Sequence, residues 1–171
     1  AQLLDITLTT TWDVNTIRTL EKLLETTLTA EQRIQVHLPV KLAGLGLQEL
    51  TLRSAAACIG AWSQYAHHNN HIDMSTDNQF EQLHPTAAAR LSDAYARLQP
   101  YFPEDSTLAT TRPTWTTLVE KHADYTQRNL TNTAYQTIHS RLSQSTSNAR
   151  KMILLSATSP GNGTWLYPHA N

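Results

Sequence analysis

The spacing of apolar residues is the feature that most restricts what this chain can fold into. The first clear example places apolar side chains at Val14, Ile17, Leu20, Leu24 and Leu28. Similar intervals of three or four recur over residues 52–62, 88–98 and 115–142. Because an α-helix turns once every 3.6 residues, this interval gathers apolar side chains on one helix face. We therefore predict an all-α fold, an irregular bundle of five to seven helices, with short extended segments at the two termini.

Residues that favour helix ends set the expected boundaries. Residues 1–11 alternate weakly between apolar and polar types, which predicts a strand or an extended lead-in. Asp13 is then expected to cap a first helix that ends near Leu28. Further helices are expected over residues 51–68 and 85–98, the latter with a proline in its first turn. Their inner faces are expected to carry Leu52, Ala55, Ala56, Ile59 and Trp62 in the former, and Ala88, Leu91, Tyr95 and Leu98 in the latter.

The segment between these helices is rich in structural signals. Thr29 and Gln32 match a capping box, in which the side chain of each residue bonds the backbone N–H of the other. The helix that they begin is expected to stop before Pro39. Gly44 and Gly46 then break the chain, and one of them is expected to have a positive φ. The leucines around this turn are expected to fill a core: Leu42, Leu45, Leu47 and Leu50.

Prolines divide the second half of the chain. Pro100, Pro103 and Pro113 bracket a connection in which helices are disfavoured. This connection is the expected boundary between an N-terminal helical subdomain, residues 1–100, and a C-terminal long-helix subdomain, residues 101–171. One continuous domain is the alternative.

A long helix dominates the expected C-terminal subdomain. Apolar residues at helical spacing predict it from about residue 114 to residue 142, and its threonines allow a break near residues 129–133. Three further elements are expected to follow: a helix over 147–157, a turn at 160–163 and an extended anchor at 165–168.

Charge is distributed unevenly along the chain. The net charge of −1 argues against a general nucleic-acid binder, but residues 125–171 carry +4 with no acid, and residues 1–124 carry −5. The basic part could contact RNA or DNA, or it could be a solvated helix face. The candidate phosphate contacts are Arg128, Arg141, Arg150 and Lys151, and the candidate stacking residues for unpaired bases are Tyr125 and Trp165. A core position for Trp165, as for Trp115 and Tyr135, is the alternative.

The sequence predicts no catalytic, cofactor or metal site. A polymerase needs aspartates that hold two metal ions, and no Asp-Asp pair occurs in the chain. His67 and His71 have a spacing that can bind zinc, but no cysteine pair completes a structural site and no intervening glutamate indicates a hydrolase. An exposed helix end is the favoured interpretation of these histidines.

Location is inferred from missing signals. Apolar runs are too short to span a membrane, and the start of the chain does not resemble a signal peptide. We therefore expect an intracellular protein without membrane contact, in an unspecified compartment. Cys58 is the single cysteine, and its apolar surroundings predict a buried, unreactive thiol.

Two stretches resemble a known kind of protein. The first is Leu-Pro-Val-Lys-Leu-Ala-Gly-Leu-Gly-Leu, residues 38–47, followed by the alanine-rich residues 54–62. It resembles the region just downstream of the polymerase core in reverse transcriptases of non-LTR and related retroelements. In that family a helix ends in Leu-Pro and is followed by a Gly-Gly-Leu-Gly-like turn and an alanine-rich helix. The family more often has Arg where Lys41 stands and Gly where Ala43 stands.

The second stretch lies near the C-terminus. Residues 149–157 and 160–166 are similar to the Leu-Leu-Ser-x-Ser and Gly-Ala-x-x-Trp-Leu elements that close the same region of the family. The order and separation of the two stretches match. The resemblance implies a helical region after the thumb, without polymerase activity alone, that contacts template RNA, target DNA or neighbouring domains. A structural or scaffold subunit descended from such an element is the alternative.

Overall fold

The described part of the chain consists of helices and the connections between them. A computed structural model describes residues 6–69 and 77–145, with residues 147, 152 and 158. The all-α prediction is confirmed, since these residues contain no strand. The helices are α1 Ile6–Leu23, α2 Ala30–His37, α3 Leu50–His68, α4 Asp77–Leu83, α5 Pro85–Leu98, α6 Thr107–Thr110, α7 Trp115–Glu120 and α8 Gln127–Ser145. Eight helices exceed the expected number because α4, α6 and α7 are short pieces that the periodic pattern does not resolve.

The helices form two compact units. Among the described residues, the first contains 6–12, 50–69 and 77–134, and the second contains 13–49 and 135–145. The proline-bracketed connection near residue 100 lies inside the first unit. The division into subdomains of residues 1–100 and 101–171 stays a prediction.

The core of the first unit is built around α3. This helix packs against α5 and α7, and α4 packs against α5. The side chains that are almost completely buried include Leu52, Ile59, Leu91, Leu98, Phe102 and Leu118. The predicted inner face of α5 is confirmed, and that of α3 is confirmed except at Trp62, which is half-buried.

One close helix approach depends on Gly60. A Cβ atom at this position would lie 2.7 Å from the backbone nitrogen of Gln127, at the start of α8. Real Cβ atoms do not approach a backbone nitrogen this closely, so only glycine fits without a shift of the chain. The start of α8 therefore packs closely on α3 because position 60 carries no side chain.

Helix α1 differs from its prediction at both ends. It begins at Ile6, so the expected strand or extended lead-in is wrong from that residue on. Asp13 is a buried residue inside the helix rather than its cap. No proline or glycine interrupts residues 6–13, so the helix can continue through Asp13. It ends at Leu23 rather than Leu28, just before Glu25, whose φ is +50°.

The expected long C-terminal helix is broken earlier than predicted. Helix α7 ends at Glu120, and α8 begins at Gln127. Side-chain bonds hold this break, because Asn129 Nδ2 donates to the carbonyl of Ala123 at 2.7 Å and Thr126 Oγ1 accepts from the N–H of Asn129 at 3.2 Å. Hydrogen bonds of this kind compete with helix continuation. The expected elements at 147–157, 160–163 and 165–168 fall essentially outside the described residues.

Candidate nucleic-acid interface

Helix α2 begins and ends as the sequence predicts. The N–H of Gln32 donates to Thr29 Oγ1 at 3.3 Å, and the N–H of Thr29 donates to Gln32 Oε1 at 2.8 Å. These two bonds complete the capping box. The helix ends at His37, and a short 3₁₀ turn, Val40–Leu42, follows Pro39. The Leu-Pro stop of the sequence is therefore a real helix end.

Three positions after this stop restrict the residues that fit there. Ala43 and Gly46 have left-handed backbones, with φ of +62° and +73°. Gly44 is restricted by space, since a Cβ atom there would lie 1.9 Å from the carbonyl oxygen of Leu38. The expectation of a positive φ at one of the two glycines is confirmed at Gly46. Ala43, where the retroelement family more often has glycine, has a conformation that glycine adopts without strain.

Hydrogen bonds from α2 fix this turn. His37 Nδ1 lies 2.6 Å from the carbonyl oxygen of Leu47, and Gln35 Nε2 donates to the carbonyl of Ala43 at 2.8 Å. The N–H of Gly46 donates to the carbonyl of Leu38 at 2.9 Å. The turn is thus held by side chains and backbone together, as a defined structure rather than a loose connection.

The leucines of the turn only partly fill a core. Leu42 is buried and Leu50 is half-buried, but Leu45 is 57% exposed and Leu47 is 38% exposed. The expectation that Leu45 and Leu47 are core residues is wrong. The left-handed backbone at Ala43 and Gly46 turns the chain within few residues, and Leu45 lines an open apolar groove rather than a closed core.

The predicted phosphate contacts are described at two positions. Arg128 and Arg141 are both exposed on α8, Arg128 in the first unit and Arg141 in the second. Arg150, Lys151 and Trp165 fall outside the described residues. The nucleic-acid role of all these residues stays a prediction.

The candidate stacking residue Tyr125 is part of a core. It is 6% exposed, and desolvation of its hydroxyl raises its pKa above the ordinary value of 10.0, with smaller contributions from Asp124 and Tyr95. A base could stack on this ring only if the ring left the interior of the first unit. The Tyr125 ring is therefore not available to stack on a base. The charged neighbour Asp124 in the sequence does not indicate that this ring is buried.

The described residues contain no group of three or more histidine, cysteine, aspartate or glutamate side chains that could hold a metal ion. His67 stacks on His122, with ring centroids 3.6 Å apart, and His71 lies outside the described residues. Cys58 is buried as predicted, and burial raises the pKa of its thiol. None of the described helices is both long enough and apolar enough to cross a membrane.

Two surfaces of the second unit were missed by the sequence reasoning. One is a pocket between α1 and α2 that contains Arg18 and Arg33. The other is an apolar groove of about 190 Å³, lined by Leu20, Leu24, Leu28, Gln32, Gln35, Val36, Ala43 and Leu45. The helical spacing of Leu20, Leu24 and Leu28 is visible in the sequence, but spacing alone does not show that these side chains line a groove.

Comparisons of the chain with protein-family models, with curated proteins and with solved structures find no match. Function is therefore argued from the residues and their geometry. The turn that follows α2 restricts residue type at three positions. Exposed arginines lie on α8, and exposed apolar side chains lie in the second unit.

Proposed function

We propose that this chain is a non-catalytic accessory region of a retroelement-type reverse transcriptase, or of a protein descended from one. In this role it contacts nucleic acid and neighbouring domains. The observation that carries the proposal is the backbone of the turn after α2. Positions 43 and 46 have a left-handed backbone, and position 44 has no room for a side chain. Glycine meets both conditions, as in a Gly-Gly-Leu-Gly pattern.

The basic residues of α8 support the nucleic-acid part of the proposal. Arg128 and Arg141 are exposed, and the chain beyond them adds Arg150 and Lys151 without any acid. Arginine binds phosphate oxygens with a planar fork of N–H donors. A stretch with this composition attracts a phosphate backbone even though the chain as a whole is slightly acidic.

Exposed apolar side chains support the contacts with neighbouring domains. In the second unit Leu23 is 76% exposed, Leu24 is 53% exposed and Leu45 is 57% exposed. Contiguous exposed apolar residues mark interaction surfaces in soluble proteins. The same observation favours a second candidate function, a scaffold subunit that uses this fold only to bind other proteins.

Salt-dependent RNA binding separates the two candidates. A single-stranded RNA is titrated into the chain at several salt concentrations, and the logarithm of affinity is plotted against that of salt. Each neutralised phosphate contributes a slope of about 0.7 for single strands. We expect replacement of Arg128, Arg141, Arg150 and Lys151 by glutamine to weaken binding and flatten this slope.

A matched variant controls for total charge. It replaces four exposed basic residues elsewhere in the chain, Lys22, Lys41, Arg53 and Lys121, by glutamine. Equal loss of binding in both variants would contradict a specific basic surface. Absence of RNA binding by the unaltered chain, with its recovery from the native source in a stable protein assembly, would favour the scaffold function.

A further inference from the structure

The second unit contains a pocket of about 320 Å³ between α1 and α2. Its lining combines apolar, basic and acidic side chains: Asp13, Val14, Ile17, Arg18, Glu21, Arg33 and His37. Small-molecule sites are concave, mostly apolar and carry a few polar groups that fix orientation, and their volumes begin near 300 Å³.

One wall of the pocket is fixed by an ion pair. Arg33 donates from Nε and Nη2 to Glu21 Oε1, at 3.1 and 2.8 Å. Glu21 Oε1 also accepts from the N–H of Leu28 at 3.0 Å, and this bond, followed by the bonds from Arg33, lowers the pKa of Glu21. Since a guanidinium has five N–H donors, three remain on Arg33 for a ligand, on a group already held in place.

Arg18 supplies a second guanidinium. It stands three residues before Glu21 on α1, so both side chains lie on the same helix face. Arg18 is exposed, and no hydrogen bond or ion pair joins it to another residue in the described part of the chain. Val14 and Ile17 precede it on that face and supply apolar surface beside the charge.

His37 adds a ring nitrogen to the pocket. Its Nδ1 lies 2.6 Å from the carbonyl oxygen of Leu47, and a carbonyl only accepts, so Nδ1 carries a proton. Nε2 is then the ring nitrogen left for a ligand.

The acids of the pocket are already engaged. Glu21 is neutralised by Arg33, and Asp13 is buried and has an interaction of its own. Among the described residues Arg18 makes no hydrogen bond or ion pair, and its charge acts on Glu21 only through space. We propose that the pocket binds a nucleotide unit, with its phosphate at Arg18 and Arg33 and its sugar or base against Val14 and Ile17.

The phosphate can belong to a free mononucleotide or to a nucleic-acid strand, and the ligands tested distinguish these sources. Adenosine monophosphate, adenosine, inorganic phosphate and a short single-stranded RNA are each titrated by calorimetry. We expect adenosine monophosphate to bind more tightly than adenosine or phosphate alone. Tighter binding of the RNA than of the mononucleotide, together with a loss of RNA affinity in Arg18→Gln, would assign the pocket to a strand.

The decisive variant is Arg18→Gln, with Lys22→Gln as its control. Lys22 is an exposed base on the same helix that does not line the pocket. Loss of a charge-assisted bond is expected to weaken mononucleotide binding about tenfold in Arg18→Gln. Equal weakening by Lys22→Gln, or equal affinity of the unaltered chain for adenosine and adenosine monophosphate, would overturn the inference.

The inference stands apart from the proposed function. Its residues are all on α1 and α2, whereas the RNA test above changes residues from Arg128 onward. A chain that loses RNA binding with the α8 charges but binds no mononucleotide keeps the proposed function and loses the pocket. If the chain binds the mononucleotide through Arg18 but RNA binding does not depend on the α8 charges, the pocket is supported and the proposed function is not.

Discussion

At the scale of single residues, the turn after α2 shows how one backbone conformation restricts residue type. Gly44 is required by space and Gly46 by its φ of +73°. Ala43 adopts a φ of +62° with a Cβ atom, which costs about 1–2 kcal/mol in the left-handed region. The surrounding hydrogen bonds from Gln35 and Gly46 hold the chain in this conformation despite that cost.

The strain at Ala43 leads to a prediction. Ala43→Gly removes the steric cost of the left-handed backbone. The greater freedom of glycine in the unfolded chain lowers the free energy of unfolding by about 0.4–1 kcal/mol. A net stabilisation of about 0.5–1 kcal/mol is therefore expected. Equilibrium unfolding in urea measures it. Ala89→Gly, in an exposed position inside α5, is the control and should destabilise by about 1 kcal/mol. A loss of stability at both positions would contradict strain at Ala43.

At the scale of elements, short helices depend on their ends. Helix α2 has eight residues, and Val36 is its one buried side chain, so packing alone holds it weakly. Isolated helices of this length are marginal in water. The capping box at its start therefore contributes to its stability, whereas the solvent-exposed ion pair from Arg33 to Glu21 of α1 adds little.

The capping box can be tested directly. Thr29→Ala removes the hydroxyl that accepts from Gln32, and substitutions of this kind cost about 0.5–2 kcal/mol. Thr27→Ala, two residues earlier in an exposed position outside any helix, is the matched control and should change stability little. The free energy of unfolding from chemical denaturation gives both values. Equal losses would show that the cap does not stabilise α2.

The link between α1 and α2 should depend on pH. The pKa of Glu21 is lowered from 4.5 in the folded chain, chiefly by the Leu28 N–H and then by Arg33. A lowered carboxyl pKa stabilises the fold above the unfolded value, and this contribution is lost as pH falls through the folded value. Glu21→Gln should therefore be less stable than the unaltered chain at neutral pH.

The gap between the two proteins is expected to narrow as the pH falls below 4.5, where the unaltered carboxyl also becomes protonated. Thermal unfolding followed by circular dichroism over this pH range measures it. Glu104→Gln, at an exposed position in the first unit, serves as control. A gap that stays constant with pH would refute the contribution of the Glu21 charge.

At the scale of the whole molecule, burial is concentrated in the first unit. Helix α3 has eight buried residues and α5 has five, whereas α2 has one. Several large apolar side chains of the second unit remain exposed, including Leu23 and Leu24. Cooperative stability follows buried apolar contacts, so local opening should differ between these helices.

Amide hydrogen exchange measured by mass spectrometry should reveal this difference. We expect the amides of α3 and α5 to exchange most slowly and those of α2 to exchange fastest among these three helices. Slow exchange in α2, equal to that in α3, would contradict the expectation. Slower exchange of α2 on addition of a partner protein or RNA would locate the contact on the second unit.

The sequence by itself determined the features that depend on residues three or four apart. The capping box at Thr29, the stop before Pro39, the bounds of α5 and the buried thiol of Cys58 follow from local hydrogen bonds, from missing N–H groups and from apolar context. The all-α class follows in the same way from the helical period.

Tertiary structure alone decided which apolar faces find a partner. Asp13, which the sequence predicts as a helix cap, is buried inside α1. Leu45 stays exposed although its neighbours in the sequence are apolar. The pocket that brings Arg18 to Arg33 joins residues fifteen apart. Burial and pockets depend on residues distant in the chain, and the periodicity of one segment contains no information on those partners.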